Sequence, residues 1–466
     1  MKNLALDTIK INRKYIIGML MFILLTFLLG SCKKFLDEKP DKKLAVPSTL
    51  ADYQALLDNY TVMYAVPSAA EISADDYYLT ATDWGNIKIE NYKNMYVWAG
   101  ENLFGANEAQ NDWKLVYTTI YHSNTVLNGI ENANLQDPKW RDLKGQALFF
   151  RASALLDAVN IWSPAFDQAT ANTDLGVPLR STINFNETPV RANVADTYNY
   201  IINDLKYASR VLTGSPLSKW RASKPAALGM LARTYLAMRD YPNALLYADS
   251  CLQFNAALMD YNTLNTTVNY PILLNNEEVI FNKMLYQREP LNIAIHKVLP
   301  DLYNTYGDTD LRKEVFFRKN TDNSYRFRGS YAQNQGLFTG IATNEMYMIK
   351  AECLVRANRF TEGIMQLNTL LKTRYTKVGG LSTFIPYQVN NEKDALTIVL
   401  MERRKELLMR NLRWQDIKRL NKEGANIALE RNINGTLYKL PANDLRFALP
   451  LPEDVIAFSG MPQNPK

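Results

Sequence analysis

Cys32 closes the run Leu29-Gly30-Ser31-Cys32, at the end of an apolar stretch from Tyr15 to Gly30 that follows Lys2, Lys10, Arg13 and Lys14. A basic leader, an apolar middle and small residues at a cut point make a secretory signal peptide. A cysteine directly after the small residues makes it a lipoprotein signal. The chemistry expected is transfer of a diacylglyceryl group to the Cys32 thiol, then cleavage before it. The sixteen residues from Tyr15 to Gly30 fall short of the roughly 20 that span a bilayer as a helix. Each buried methylene contributes about 0.8 kcal/mol and stable anchoring takes more than one chain, so the three acyl chains of a lipoprotein cysteine anchor it durably.

A second set of residues could carry recognition chemistry. Asp75, Asp76, Tyr77, Tyr78, Trp84, Tyr92, Tyr96, Trp98 and Asn102 crowd one segment, in a chain with 27 tyrosines and 7 tryptophans. Aromatic faces cover the C–H faces of sugars while Tyr O–H and Trp N–H still bond. A few amides and carboxylates then fix orientation. Tyr325, Arg328 and Tyr331, with Tyr286 nearer the N-terminus, form another candidate cluster.

Other chemistries have little material. The two histidines, His122 and His296, have no Cys, Asp or Glu at metal-ligand spacing, so neither a zinc site nor a Ser-His-Asp triad is expected, and no cofactor is implied. Cys251 and Cys353 sit in helical patterns, where free cysteine behaves as a small apolar residue; no disulfide is expected. Glycoside hydrolysis needs two carboxylates about 5–10 Å apart. The side chains of adjacent Asp75 and Asp76 diverge, so no enzyme activity is expected. Of the net charge of +6, the first 31 residues supply +3 (four bases, one acid). The remainder is too mild to argue for nucleic acid.

The elements that must position these residues are mostly helical. Residues 32–47 form a charged tether. Leu50, Tyr53, Leu56, Leu57 and Tyr60 then recur at helical spacing, with Ser48 as the expected N-cap. Residues 65–110 and 256–342 show no sustained period and are expected as irregular insertions, with strand-like pieces such as Glu278-Val279-Ile280-Phe281. Helical units are expected near 111–161, 193–255, 343–375 and 391–421, the last as one long helix followed by an extended tail. An internal repeat links two of them. Ala232, Tyr235, Tyr241, Ala244 and Cys251 are matched by Ala351, Leu354, Phe360, Gly363 and Leu370, each pair 119 residues apart. Small residues that allow close helix approach, with an aromatic plugging the turn, suggest tetratricopeptide-like hairpins. The expected fold is thus mostly α, a single domain over 48–466 with long loop insertions and a few short strands.

The last helical region reads Met401-Glu402-Arg403-Arg404-Lys405-Glu406-Leu407, then Arg413-Trp414-Gln415-Asp416-Ile417-Lys418-Arg419, and the tail holds Leu449-Pro450-Leu451-Pro452-Glu453 and Gln463-Asn464-Pro465. With Cys32-Lys33-Lys34-Phe35-Leu36-Asp37, Gln146-Ala147…Phe150-Arg151-Ala152 and Gly176-Val177-Pro178-Leu179, this resembles the SusD/RagB family of Bacteroidetes outer-membrane lipoproteins. The resemblance implies starch-binding-like nutrient capture. A lipid-anchored protein binds oligosaccharide, or peptide, at the cell surface and acts as lid on a SusC-like TonB-dependent transporter. It also implies a ligand face built from the insertions, with Trp98 and Asn102 as stacker and amide, and Trp84, Asp76, Tyr78, Tyr96 and Tyr331 as further ligand candidates. Two departures stand out. Arg410 and Asn411 occupy places where the family has an acid and a glycine; Asn tolerates the left-handed backbone such a kink needs. Lys33-Lys34 replaces the acidic pair of surface-exported members. Glu402, Arg403, Glu406 and Arg413 are expected to make ion pairs between neighbours along the helix. The alternative function is a helical-repeat adaptor without glycan binding.

Overall fold

Residues 47–105, 111–285 and 288–466 are described in the computed structural model. Cys32, the signal, most of the tether and Tyr286 lie outside the described residues. The described chain enters on helix α1 (Leu50–Leu57). Its N-cap is Thr49, not Ser48. The Asp52 N–H donates to the Thr49 hydroxyl at 3.2 Å and the Thr49 N–H to the Asp52 carboxylate at 2.9 Å. That reciprocal box needs an acid or amide three residues on, and Ala51 stands there for Ser48.

After α2 (Tyr60–Met63), the segment expected as loop holds short elements instead: α3 (Ala69–Ser73), β1 (Tyr77–Tyr78), α4 (Ala81–Gly85) and α5 (Glu90–Tyr96). None is long enough to display a period, and every residue of α3 is buried, so periodicity could not reveal them. The helical scaffold then follows the sequence closely. It comprises α6 (Asp112–Gly129), α7 (Pro138–Trp162), the ribbon β2 (Leu175–Pro178) with β3 (Arg191–Asn193), α8 (Val194–Val211), α9 (Lys224–Ala237) and α10 (Tyr241–Leu252). Asn111, Asp137, Asn193, Ser223 and Asp240 each cap a helix start with a side-chain oxygen, and Pro138, Pro225 and Pro242 sit in first turns.

The second irregular insertion resolves into short strands and turns: β4 (Val279–Phe281), β5 (Met284–Leu285), β6 (Lys297–Val298), α11 (Pro300–Asn304), α12 (Arg312–Phe316), β7 (Phe317–Lys319), β8 (Tyr325–Phe327), β9 (Leu337–Phe338) and β10 (Ile341–Ala342). These lead into α13 (Thr343–Arg356), α14 (Phe360–Leu371), the ribbon β11 (Lys377–Val378) and β12 (Leu381–Ser382), α15 (Glu392–Glu406) and α16 (Arg413–Asn421). The expected extended tail contains a hairpin, β13 (Leu429–Ile433) and β14 (Thr436–Leu440), and a helix, α17 (Glu453–Ser459). Among the described residues strands pair only in twos, including β1 with β6, β4 with β10, β5 with β9 and β7 with β8. Such ribbons are marginal alone and depend on the helices beneath them.

The repeat is real down to its backbone. Lys224 and Thr343, Ala237 and Arg356, Tyr241 and Phe360, and Leu252 and Leu371 mark equivalent helix ends, each pair 119 residues apart. Both turns place one residue in the left-handed region, Arg239 (φ 61°) and Asn358 (φ 60°). Both close with the same bond, Asp240 N–H to Tyr235 C=O and Arg359 N–H to Leu354 C=O, each 2.9 Å. Gly363 is small for cause: a Cβ there would lie 2.7 Å from the Ala351 carbonyl oxygen. A second core cluster, with Ile364, Leu367, Val355, Val399 and Leu412, joins α13, α14 and α15.

The final helical region is two helices, not one. Met409 (φ 56°) and Asn411 (φ 59°) break it; the asparagine was legible as a kink, the methionine was not. The motif's ion pairs also run mainly to other elements. Glu402 and Glu406 bond Arg312 at 2.7 and 3.3 Å, Glu406 accepts from Arg374, and Arg403 bonds Asp416 on α16 at 2.8 Å. Glu402–Lys405 and Asp416–Arg419 join near neighbours.

Candidate functional site

The most aromatic part of the predicted ligand segment turns inward. Trp98, Tyr96 and Asp76 are each 1% exposed, Tyr331 is 2% exposed, and Tyr92 and Tyr77 are buried. These side chains are closed to a ligand, which corrects the expectation for them. Trp98 donates its indole N–H to the Ser73 carbonyl at 2.9 Å. Its ring, with those of Tyr77 and Tyr96, surrounds the Arg431 guanidinium at 4.7, 5.4 and 3.4 Å. Among the described residues no carboxylate pairs with Arg431; it donates to the carbonyls of Tyr96, Ile72 and Ala74. Ring faces and carbonyl dipoles satisfy the charge. The aromatic crowding therefore buries an arginine from the C-terminal hairpin 335 residues away. Tyr331 is likewise internal: its hydroxyl donates to Glu278 and accepts from the Asn344 amide.

Asp75 and Asp76 belong to the scaffold too. Arg413 grips both oxygens of Asp75 at 2.7 and 3.0 Å, and Arg404 bonds Asp76 at 2.9 Å. Against the cost of burial, Arg413 and then Arg404 hold the Asp75 carboxyl down to about 2. Glu71 beneath them differs. It accepts one bond, from the Asn411 N–H at 2.6 Å, and its other oxygen has no partner. Burial, then the charge of Asp76, push it up from 4.5 to about 8. Between those values the folded chain holds a proton that the unfolded chain has released, so this group's contribution falls as pH rises through the window. Glu71→Gln mimics the protonated form. Thermal unfolding should give nearly equal midpoints for both proteins at pH 4.5 and a higher midpoint for the variant at pH 8.5. A variant less stable at both would contradict the assignment.

Trp84, Asn102 and Tyr78 stay at the surface with different surroundings. Trp84 is half-buried, donating to the Lys93 carbonyl at 3.4 Å with the Lys93 ammonium 5.7 Å from its ring. Asn102 is exposed in a left-handed turn (φ 55°), its N–H held by Glu453 at 2.8 Å and its carbonyl by the amides of Asn91 and Asn94. Tyr78 is half-buried on β1, paired with Lys297 of β6. Lys297 reaches Asp83 at 3.1 Å and Asp322 at 3.7 Å. That bridge brings Tyr78 and the β7–β8 hairpin onto one face.

This face carries an open cleft with partly exposed aromatic rings. A cleft of about 590 Å³ is lined by Tyr303, Tyr325, Phe317, Thr266, Thr267, Asp308, Lys313, Glu314, Arg318, Lys319 and Arg328. Tyr303 and Tyr325 stack with centroids 3.7 Å apart and planes at 13°. The Lys313 ammonium lies 5.5 Å from the Tyr303 ring and bonds Asp308 at 2.9 Å. Local sequence explains the platform. Asn320-Thr321-Asp322-Asn323-Ser324 forms the hairpin turn, with Asn323 left-handed (φ 66°) and Asp322 accepting from the Ser324 N–H at 3.0 Å. Buried Phe317 and Phe327 pair at the base of the hairpin, and Lys319 and Tyr325 pair on the same face toward its tip. His296 braces it from behind, its ring Nε2 accepting from the Phe327 N–H at 3.3 Å. Burial drives that imidazole down to about 4, so it stays neutral.

Of the residues expected from sequence, Tyr325 and Arg328 line the cleft, and Tyr78 lies outside its lining. Tyr303 was missed. It stands three residues before Tyr306, and helical spacing cannot say which of the two faces solvent; Tyr306 is the buried one. Among the described residues no cluster of His, Cys, Asp and Glu could hold a metal, and Cys251 and Cys353 are free and buried.

A family model described as "Starch-binding associating with outer membrane" matches residues 34–236, and one described as "SusD family" matches residues 311–448. A SusD-like protein of Formosa agariphila is 23% identical over 470 residues, covering 84% of this chain and 89% of that one. A SusD superfamily protein of Bacteroides thetaiotaomicron superposes with a TM-score of 0.70 at 21% identity, covering 90% of this chain and all (100%) of that one. A SusD-like carbohydrate binding protein of Bacteroides vulgatus superposes with a TM-score of 0.61 at 19% identity, covering 85% and 89%. With two SusD-type models that together match residues 34–236 and 311–448, and a fold to match, the chain belongs to the SusD/RagB family of carbohydrate-binding, outer-membrane-associated proteins.

Proposed function

We propose that this chain is a non-enzymatic nutrient-binding lipoprotein. It captures oligosaccharide in the Tyr303–Tyr325 cleft and delivers it, as a lid, to a TonB-dependent transporter. The observation that carries the reading is the stacked tyrosine pair at a solvent-open cleft with hydroxyl and charged groups around it. Such a surface offers apolar faces to sugar C–H groups and donors to their hydroxyls. Two further supports are the family description and the structural role of Asp75 and Asp76, adjacent acids that arginines hold in the scaffold. A glycan array followed by calorimetry on the whole protein in detergent should give saturable binding with no shortening of the bound oligosaccharide. Chromatographic detection of shorter products would sink the non-enzymatic reading, and retention of no glycan would sink the binding reading.

Anchoring belongs to Cys32 and recognition to the folded unit Thr49–Lys466. Cys32→Ala should therefore abolish ligand uptake by cells and leave the purified protein's affinity unchanged. Lost affinity in that variant would contradict the division of labour.

A further inference from the structure

The charge of the cleft specifies more than a sugar. Four cations line it, Lys313, Arg318, Lys319 and Arg328, against two carboxylates, Asp308 and Glu314. Asp308 is taken by Lys313; the Glu314 carboxylate acts on Arg328 but makes no ion pair within 4.0 Å among the described residues. Arg318 instead bonds the Asn269 amide oxygen. Arg318 also stands directly opposite Arg326 across the hairpin, and like charges in that position destabilise a ribbon. Arg326 has only the Asn320 side-chain oxygen, at 2.8 Å.

Arg328 is the built-in part of the arrangement. It is 8% exposed, and three carbonyls, of Val268, Thr266 and Glu314, hold it at 2.7, 2.8 and 2.6 Å. Its Nε is buried without a partner. Burial, then the neighbouring charge of Arg318, hold it below the ordinary arginine range. Three arginines are thus gathered on or beside one short ribbon, and of the carboxylates nearby only Glu314 acts on one of them, Arg328. A fold that needed only a sound hairpin would place an acid opposite one of them. Glu314 offsets part of the charge of Arg328, but among the described residues no carboxylate pairs with Arg318 or Arg326, so the cleft keeps a net positive lining that suits an anion.

Building on the proposed oligosaccharide site, we infer that the ligand is an anionic oligosaccharide, whose ring carboxylate or sulfate ester is held by Arg318 and Lys319, with the buried Arg328 adding positive charge behind them, while a sugar ring lies on Tyr303 and Tyr325. Guanidinium groups present paired donors that match carboxylate and sulfate oxygens. The two anion sources share this chemistry, and the test separates them.

The test is an array carrying neutral, uronate-containing and sulfated oligosaccharides, probed with the whole protein at low and high salt. Binding confined to acidic members and weakened by salt is expected; uronate against sulfated hits names the group. Arg318→Gln combined with Lys319→Gln should weaken acidic ligands about tenfold or more, since charge-assisted bonds are lost. Its melting temperature should be unchanged or raised, because the repulsion with Arg326 is relieved. Neutral hits insensitive to salt, or acidic hits that the double variant binds unchanged, would overturn the inference and leave the sugar site standing. Hits unaffected by Tyr303→Ala would overturn the site itself, and no hits at all would overturn both.

Discussion

Glu406→Ala is expected to cost the folded chain ~3–5 kcal/mol, the range for breaking a buried ion pair from one side. Glu406 is fully buried and accepts from Arg374 at 2.8 and 3.0 Å, from Arg312 at 3.3 Å and from the Asn344 amide at 3.0 Å. Arg374 continues to Glu278 at 2.7 Å; Arg312 continues to Asp310 and Glu402, each at 2.7 Å. Lys405 closes the set on Glu402 and Asp310. Removing one carboxylate strands positive charge where no water reaches it. Such a loss is a large fraction of a domain's net stability of roughly 5–15 kcal/mol. Urea unfolding followed by circular dichroism measures it. A loss below about 1 kcal/mol, the scale of an exposed pair, would mean the network is not formed as described. The motif that marks the family by sequence is thus the clamp that ties α15 to α12 and to the strand-rich insertion.

The second large effect concerns binding. Tyr303→Ala and Tyr325→Ala should each weaken oligosaccharide affinity about tenfold, equivalent to ~1.4 kcal/mol, because each removes half of a stacked platform. Melting temperature should change little, since both rings are only partly buried. Trp98→Phe should behave in the opposite way. It deletes the bond to Ser73 and part of the wall around Arg431, so stability falls while affinity holds. Calorimetric titration and thermal unfolding of the three variants separate the roles. Affinity lost in Trp98→Phe at intact stability would restore Trp98 as a ligand residue.

The helical scaffold was legible because its signals are local. Apolar residues at helical spacing announce the helices, which side-chain caps at Asn111, Asp137, Asn193, Ser223 and Asp240 then start, and the 119-residue offset announces two hairpins that share even a left-handed turn residue. The site was less legible because its logic is non-local. Trp98, Tyr96 and Tyr77 look like stackers until Arg431 arrives from the C-terminal hairpin to occupy them. Asp75 and Asp76 look available until Arg404 and Arg413 claim them. Conversely, Tyr303 and Tyr325 meet only because α11 and the β7–β8 hairpin fold together. Burial decides which aromatic is ligand-facing, and a single sequence does not print burial for segments too short to show a period.

The charged networks also set the acid limit of the fold. Against the cost of burial, Arg403 and then Arg419 hold Asp416 down to about 2. Its contribution is present above the unfolded value of 3.8 and is lost as pH falls toward 2. Glu71 acts in the opposite direction over a higher window, between 4.5 and about 8.

The central claim is that ligand meets the Tyr303–Tyr325 cleft and not the aromatic box around Arg431. A crystal structure with an oligosaccharide identified by the array tests it most directly. The predicted result is a sugar ring lying on the two tyrosines, with Trp98 and Tyr96 still enclosed around Arg431. A sugar seated against Trp98, or one bound away from the β7–β8 hairpin altogether, would contradict it.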